Sequence, residues 1–244
     1  MTYDLDGRCV VITGAVGGIG TAMIEAFAAR GARLALVDIK DPSDVAAQLG
    51  PHHAGWTCDL AQPAEIARVT AEIGARMGID VLINNAGLGI VAPAEKMRVE
   101  DWDRTQAINL RAPWLMAVGA LPYLKASGRG RVVNIASQAG IVAIAEHAAY
   151  GASKAGLIGL TRVLALEWAR FGITVNAISP TVVDTPMALV GWSGEKGERA
   201  KAAIPVGRFA RPAEIAHAAV YLASAQAGIV TGENLVMDGG FTIQ

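Results

Sequence analysis

The sequence predicts an α/β fold, a doubly wound parallel sheet of seven strands with helices on both faces. Three observations carry that prediction. Short apolar runs alternate with alanine-rich stretches of helical length through the 244 residues. Most of those runs are continuously apolar rather than alternating, as strands covered on both faces are. A glycine-rich turn, Thr13-Gly-Ala-Val-Gly-Gly-Ile-Gly20, joins the first run to the first helical stretch. Alternation of this kind builds βαβ units and hence a parallel sheet.

The elements follow in order. The first strand is read at 8–13 and runs through the glycine turn into a helix over 18–30. The second strand, 33–38, ends in Val37-Asp38, and the third, 55–59, ends in Cys58-Asp59 before a helix over 63–77. The fourth strand, 80–84, runs into Asn84-Asn85-Ala86-Gly87. A long helical stretch over 99–125 comes next. Pro113 and Pro122 should bend or split it, because proline has no N–H for the carbonyl four residues back. A fifth strand at 131–136, a helix over 148–171, a sixth strand at 173–178, a helix over 212–223 and a last strand at 234–238 complete the pattern. Residues 185–211 break the rhythm with Gly191, Gly194, Gly197, Trp192, Pro205 and several charges. They follow the carboxyl end of a strand, where ligands bind in such sheets, and are expected to form a mobile lid. No repeat, low-complexity linker or charge block divides the chain, so a single domain over 1–244 is expected.

Composition excludes several classes. A formal net charge of −1 and a pI near 6.4 leave no electrostatic footprint for nucleic acid or an anionic membrane. No run of about 18 uninterrupted apolar residues suggests a membrane span. The opening Met1-Thr-Tyr-Asp-Leu-Asp-Gly is not a secretion signal, so a cytoplasmic location is expected. Cys9 and Cys58 lie in strand-like apolar runs and are read as buried free thiols. The four histidines are scattered without ligand spacing, so no metal site is expected.

The glycine turn points to a dinucleotide. Gly14, Gly18 and Gly20 would allow the tight turn, the approach of the backbone to a pyrophosphate and close helix packing, with Ile19 between the last two. The helix that follows would aim its free N–H groups at the phosphates. Asp38 can accept hydrogen bonds from both ribose hydroxyls and would repel a 2′-phosphate. The acid is followed by Ile39 rather than a base, and the glycine turn holds no Arg or Lys. NAD is therefore expected over NADP. Asp59 and Leu60 would meet the adenine edge, and the small residues of Asn85-Ala86-Gly87 would admit the cofactor closely.

The chemistry centres on His147-Ala-Ala-Tyr150-Gly-Ala-Ser-Lys154. On a helix, Tyr150 and Lys154 share one face. A phenol is a poor base at its ordinary pKa of about 10, and a nearby cation is expected to lower it. That would suit Tyr150 to move the hydroxyl proton in a hydride transfer. Lys154 would supply the charge and hold the nicotinamide ribose, Ser137 would hydrogen-bond the substrate oxygen, and Asn109 would hold a water linking Lys154 to solvent.

These residues, with the glycine turn, Asn-Asn-Ala-Gly and Val236-Met-Asp-Gly-Gly240, resemble the short-chain dehydrogenase/reductase family over essentially the whole chain. The resemblance implies a Rossmann-type fold and nicotinamide chemistry. It also implies that the residues after Pro180, with Val183, Thr185 and Met187, bind the nicotinamide carboxamide. Thr181 stands where the family usually has Gly. Pro-Thr-Val-Val-x-Thr is similar to the branch of xylulose reductases and of threitol, xylitol and arabinitol dehydrogenases. In that likeness Gln138, His147 and Trp192 match substrate-facing positions, and Glu146 could join them. A polyol needs such a set, because each buried hydroxyl left unpaired is costly. The implied reaction is NAD-dependent oxidation of a short sugar alcohol to a ketose. A second reading keeps the chemistry on another ketone class, such as a 3-oxoacyl thioester or a cyclic ketone, and would be favoured by a basic patch for an acyl carrier from Lys125, Arg129 and Arg131. A third is an NAD-binding sensor without activity. The family likeness also implies a homotetramer paired through the helices at 99–125 and 148–171 and through the last strand.

Overall fold

The computed structural model describes Tyr3 and residues 5–244, apart from the side chains of Met187, Leu189 and Val190. Seven strands form one parallel sheet: β1 (Cys9–Thr13), β2 (Arg33–Asp38), β3 (Ala54–Thr57), β4 (Val81–Asn84), β5 (Arg131–Ile135), β6 (Thr174–Pro180) and β7 (Asn234–Met237). Their spatial order is β3-β2-β1-β4-β5-β6-β7, with every neighbouring pair parallel. The order reverses between β1 and β4, which opens a crevice at their carboxyl ends.

The continuous apolar runs are explained by the two faces of the sheet. Val10, Ile12, Leu34, Leu36, Ile83 and Val133 point to one side, where α1 (Gly18–Ala28) and α9 (Pro212–Ala223) supply Met23, Phe27, Ile215 and Val220. Val11, Ala35, Val37, Leu82 and Val132 point to the other, against α3 (Pro63–Met77), α5 (Ala112–Ser127) and α6 (Ala148–Trp168), which supply Ile66, Ile73, Met116, Leu124 and Leu164. Successive residues of a strand alternate between the two cores, so both must be apolar. Each fully buried Val, Leu or Ile contributes roughly 1.5–3 kcal/mol. Cys9 and Cys58 are free and buried, as expected.

Three features depart from the sequence expectations. First, α2 (Ser43–Leu49) lies where no helix was anticipated; it is short, and Ala46 is its buried residue, so its apolar periodicity is faint. Second, neither proline splits the long helix. α4 (Val99–Gln106) passes through a π turn, Ala107–Arg111, directly into α5, with Pro113 in the first turn of α5 and Pro122 inside it. The N–H of Ala112 donates to the carbonyl of Ala107, a five-residue closure. A proline at 113 cannot bond the Asn109 carbonyl and crowds it, and the wider π turn absorbs that conflict.

Third, residues 185–211, where no helix was read, form two. They hold α7 (Pro186–Gly191), capped by Thr185 Oγ1 accepting the Ala188 N–H, and α8 (Gly194–Ala202). The excursion is fastened at its base: Val183 and Ala210 pair, the Asp184 N–H donates to Ala210 O (2.8 Å) and the Ala210 N–H to Val182 O (3.0 Å). The chain's last residues hold its far end, through Val206 N–H to Gly239 O (3.1 Å) and Gln244 Nε2 to Ala203 O (2.7 Å). Among the described residues no helix is long and apolar enough to cross a membrane.

Candidate active site

The carboxyl ends of the central strands are tied by amides. The Asn84 side chain donates to Asn134 Oδ1 (2.8 Å), and Asn134 in turn donates to Thr161 Oγ1 (2.9 Å), linking β4, β5 and α6. Asn85 Nδ2 donates to the carbonyls of Thr13 and Gly14, while the N–H groups of Asn85 and Ala86 donate to Thr13 Oγ1. Asn85 is thus committed to holding β1 against β4. These ties fix the glycine turn beside Ala86. Gly14 adopts φ +63°, and a Cβ on it would lie 2.8 Å from Ala86 Cα. A Cβ on Gly20 would collide with the Gly14 carbonyl oxygen, and one on Gly18 would come within 2.8 Å of Thr185 Cγ2. Ile19 packs against the α1 core. Helix α1 starts without a side-chain cap, which leaves its first N–H groups for an anion.

Two carboxylates stand at the carboxyl ends of β2 and β3. Asp38 is 8% exposed, and each of its oxygens accepts one backbone N–H, from Val16 and from Lys40 (both 3.1 Å). Each oxygen keeps a lone pair for a further donor. Ile39 beside it is exposed, at 61%. Asp59 Oδ1 accepts the Ala61 N–H (2.9 Å), so that this side chain shapes its own turn, with Leu60 buried beneath. The close-packed glycine turn, the uncapped helix start and Asp38 fit a dinucleotide.

Tyr150 and Lys154 lie one turn apart on α6, with the Lys154 Nζ 5.7 Å from the Tyr150 ring centre. The small residues around them admit the segment after β5. Gly140 sits against the Lys154 backbone, where a Cβ would be 2.7 Å from Lys154 C, and Gly151 sits against Ala139 O. This brings the Ser137 hydroxyl to the Tyr150 phenol, where it favours the ionised form. Ser137 Oγ also accepts the Ala139 N–H (3.2 Å). Lys154 is buried, and its Nζ donates to Ile135 O (2.7 Å). Gly87 lies next to that ammonium; a Cβ there would be 3.5 Å from Nζ.

One expectation is corrected here: within the chain alone the Tyr150 pKa is raised, not lowered. Burial raises the phenol above its ordinary value, and only the Ser137 hydrogen bond opposes the rise. Burial also lowers Lys154 to about 8, and one of its three N–H groups donates to the Ile135 carbonyl. The Asn109 side chain is engaged with the segment after β4 and with α6. Its Oδ1 accepts the Leu88 N–H (2.8 Å), and its Nδ2 donates to Leu88 O (2.8 Å) and Ser153 Oγ (3.1 Å). Ser153, which also donates to Tyr150 O (2.7 Å), is a member of this network that nothing in Gly-Ala-Ser-Lys announced.

The expected substrate-facing residues converge on the same place. The His147 ring is 5.9 Å from that of Tyr150 and 6.3 Å from that of Trp192, which ends α7. Lys196 Nζ lies 5.0 Å from the Trp192 ring. Gln138, next to Ser137, is buried with Oε1 unpartnered, and the buried Thr181 Oγ1, just past Pro180 at the end of β6, is also unpartnered. Thr181 stood out in sequence only as a departure from Gly. Val183 is buried at the lid base and Thr185 caps α7 against Gly18. The Met187 side chain lies outside the described residues.

Comparison with known proteins gives this geometry its relatives. A family model described as enoyl-(acyl carrier protein) reductase matches residues 14–242. The chain is 46% identical to D-threitol dehydrogenase of Mycolicibacterium smegmatis, over 99% of this chain and 95% of that one. It is 44% identical to the NAD-dependent glycerol dehydrogenase of Listeria innocua, over 99% and 96%. A crystal structure described as a candidate NAD(P)-dependent gluconate 5-dehydrogenase from Beutenbergia cavernae, with NADP bound at low occupancy, superposes with a TM-score of 0.95 at 37% identity, covering 99% of both chains.

Proposed function

The chain belongs to the short-chain dehydrogenase/reductase family, and from that premise we propose that it oxidises a secondary hydroxyl of a short polyol to a ketose with NAD. The observation that carries the polyol reading is the polar set around the Ser137–Tyr150 pair: His147 between Tyr150 and Trp192, and Gln138 beside Ser137 with a buried, unpartnered oxygen. An apolar ketone would leave those groups unsatisfied, while a polyol offers them donors. The names of two relatives, a threitol and a glycerol dehydrogenase, run in the same direction.

In this reading Ser137 donates to the reacting oxygen and Tyr150 takes its proton. Bound NAD would accept the hydride, and its positive ring would add the charge that favours the phenolate. Lys154, lowered to about 8, is largely protonated at neutral pH and would donate to the ribose beside Gly87. The water expected at Asn109 would sit on its backbone carbonyl, which Pro113 cannot bond. Asp38 would take the adenosine ribose and disfavour a 2′-phosphate. The segment at 185–211 would close over the site with Trp192. Subunit pairing through α5 and α6, where Trp114, Val118, Val163 and Leu166 are exposed, is part of the same proposal.

The basic patch that would favour the acyl-carrier reading is partly engaged within the chain. Arg129 pairs with Asp80 (3.0 Å), and the buried Arg131 donates to Gly130 O and Gly172 O. Both stand at the amino-terminal edge of the sheet, opposite the site. The test is NADH formation from a panel of D- and L-threitol, glycerol, erythritol, xylitol, both arabinitols and propan-2-ol, each with NAD and NADP. Turnover of one or a few polyols well above propan-2-ol is expected, with NAD preferred. Activity confined to simple alcohols or cyclic ketones would refute the substrate assignment.

A further inference from the structure

Glu146 is the one described residue other than glycine with a positive φ, +67°. It occupies the third position of a turn closed by the His147 N–H donating to Ile144 O (3.2 Å). A turn with a left-handed residue at that position ordinarily takes Gly or Asn, because a side chain there is strained. The turn is fastened from outside as well: the Ala92 N–H donates to Glu146 O (2.9 Å), and Ala92 pairs with His147. Strain held in place by surrounding contacts next to a candidate site invites a functional reading.

The product of the turn is the pose of one ring. His147 Nδ1 lies 2.7 Å from Ala145 O, inside the same turn. A carbonyl only accepts, so Nδ1 carries the hydrogen. In the neutral imidazole Nε2 is then a bare acceptor, on the side of the ring turned away from Ala145. The ring itself stands edge-on to Tyr150 and near Trp192. The cleft there already has a hydroxyl at Ser137 for the reacting oxygen.

We propose that Glu146 is a positioning residue: its left-handed backbone closes the 144–147 turn, fixes His147 as the Nδ1–H tautomer and so presents Nε2 to accept a second, non-reacting hydroxyl of the substrate. The second half of this statement rests on the polyol reading; the first half does not. The role belongs to the backbone, so the carboxylate of Glu146, which is exposed, is dispensable.

The test separates these points. Glu146→Gln keeps the backbone and removes the charge, Glu146→Gly relieves the strain, and Glu146→Val opposes a positive φ. For the parent, the Gln variant and the Gly variant, nitrogen-15 NMR of His147 in its neutral form should show the proton on Nδ1, and KM for the best polyol should stay within about twofold. Glu146→Val should move proton population to Nε2 and raise KM about tenfold, the scale of one lost hydrogen bond, with kcat and NAD affinity nearly unchanged. Unchanged NAD affinity also shows that the variant folds. A proton on Nε2 in the parent overturns the proposal. So does a Gln variant as impaired as the Val variant, or a Val variant with parental tautomer and KM. If no polyol is turned over by the parent, the polyol reading fails, and the NMR comparison alone decides whether Glu146 sets the tautomer.

Discussion

Tyr150→Phe lowers kcat by about 10²–10⁴-fold while the affinity for NAD, read by titration of the free enzyme, stays within about twofold. The substitution removes one oxygen. The ring stays on α6, the edge contact with His147 is kept, and Lys154 still donates to Ile135 O, so the fold and the cofactor cradle have no reason to change. The lost atom is the one whose ionised form the Ser137 hydroxyl favours, and in this account it carries the proton. Burial holds the phenol above its ordinary pKa, and the added positive charge of a bound oxidised nicotinamide would favour its ionisation. The loss should therefore fall on kcat more than on KM for NAD. Near-parental turnover would remove Tyr150 from the chemistry, and a parallel loss of NAD binding would show that its role is structural.

Asp38→Ala combined with Ile39→Arg shifts the ratio of kcat/KM for NADP over NAD by about 10²–10⁴-fold toward NADP. In the proposed reading, one change removes the carboxylate that would oppose a 2′-phosphate, and the other places a guanidinium on an exposed neighbouring position. Each is a charge-assisted interaction of roughly 1.5–3 kcal/mol. Asp38 also accepts the N–H groups of Val16 and Lys40, so the variant loosens the glycine turn and lowers affinity for both cofactors. The ratio rather than either affinity is thus the quantity to measure. An unchanged ratio would mean that Asp38 serves only to hold those two N–H groups.

The strands were legible because Val10 and Val11, or Leu34 and Ala35, serve opposite cores and must both be apolar. The site was legible where spacing carries geometry: Tyr150 and Lys154 four apart on α6, Ser137 just past β5, and glycines whose Cβ would strike Ala86 or the Gly14 carbonyl. What escaped was set by tertiary context. Helix α8 is polar on most faces and laced by Glu195–Arg199 and Glu198–Lys201 pairs, so it has little apolar period to read. Pro113 signalled a break, and the chain answered with a π turn that keeps Asn109 buried. The engagement of the Asn109 amide with Leu88, the rise of the Tyr150 pKa and the strain at Glu146 all depend on partners distant in sequence or on solvent exclusion, which no local pattern encodes.

The most direct test of the central claim is the identity and stoichiometry of the product. D-threitol, incubated with limiting NAD and followed by absorbance and carbon-13 NMR, should give a four-carbon ketose and NADH in a 1:1 ratio. An aldose would place the oxidation at a primary hydroxyl and contradict the account, as would the absence of NADH from D-threitol and every other polyol offered.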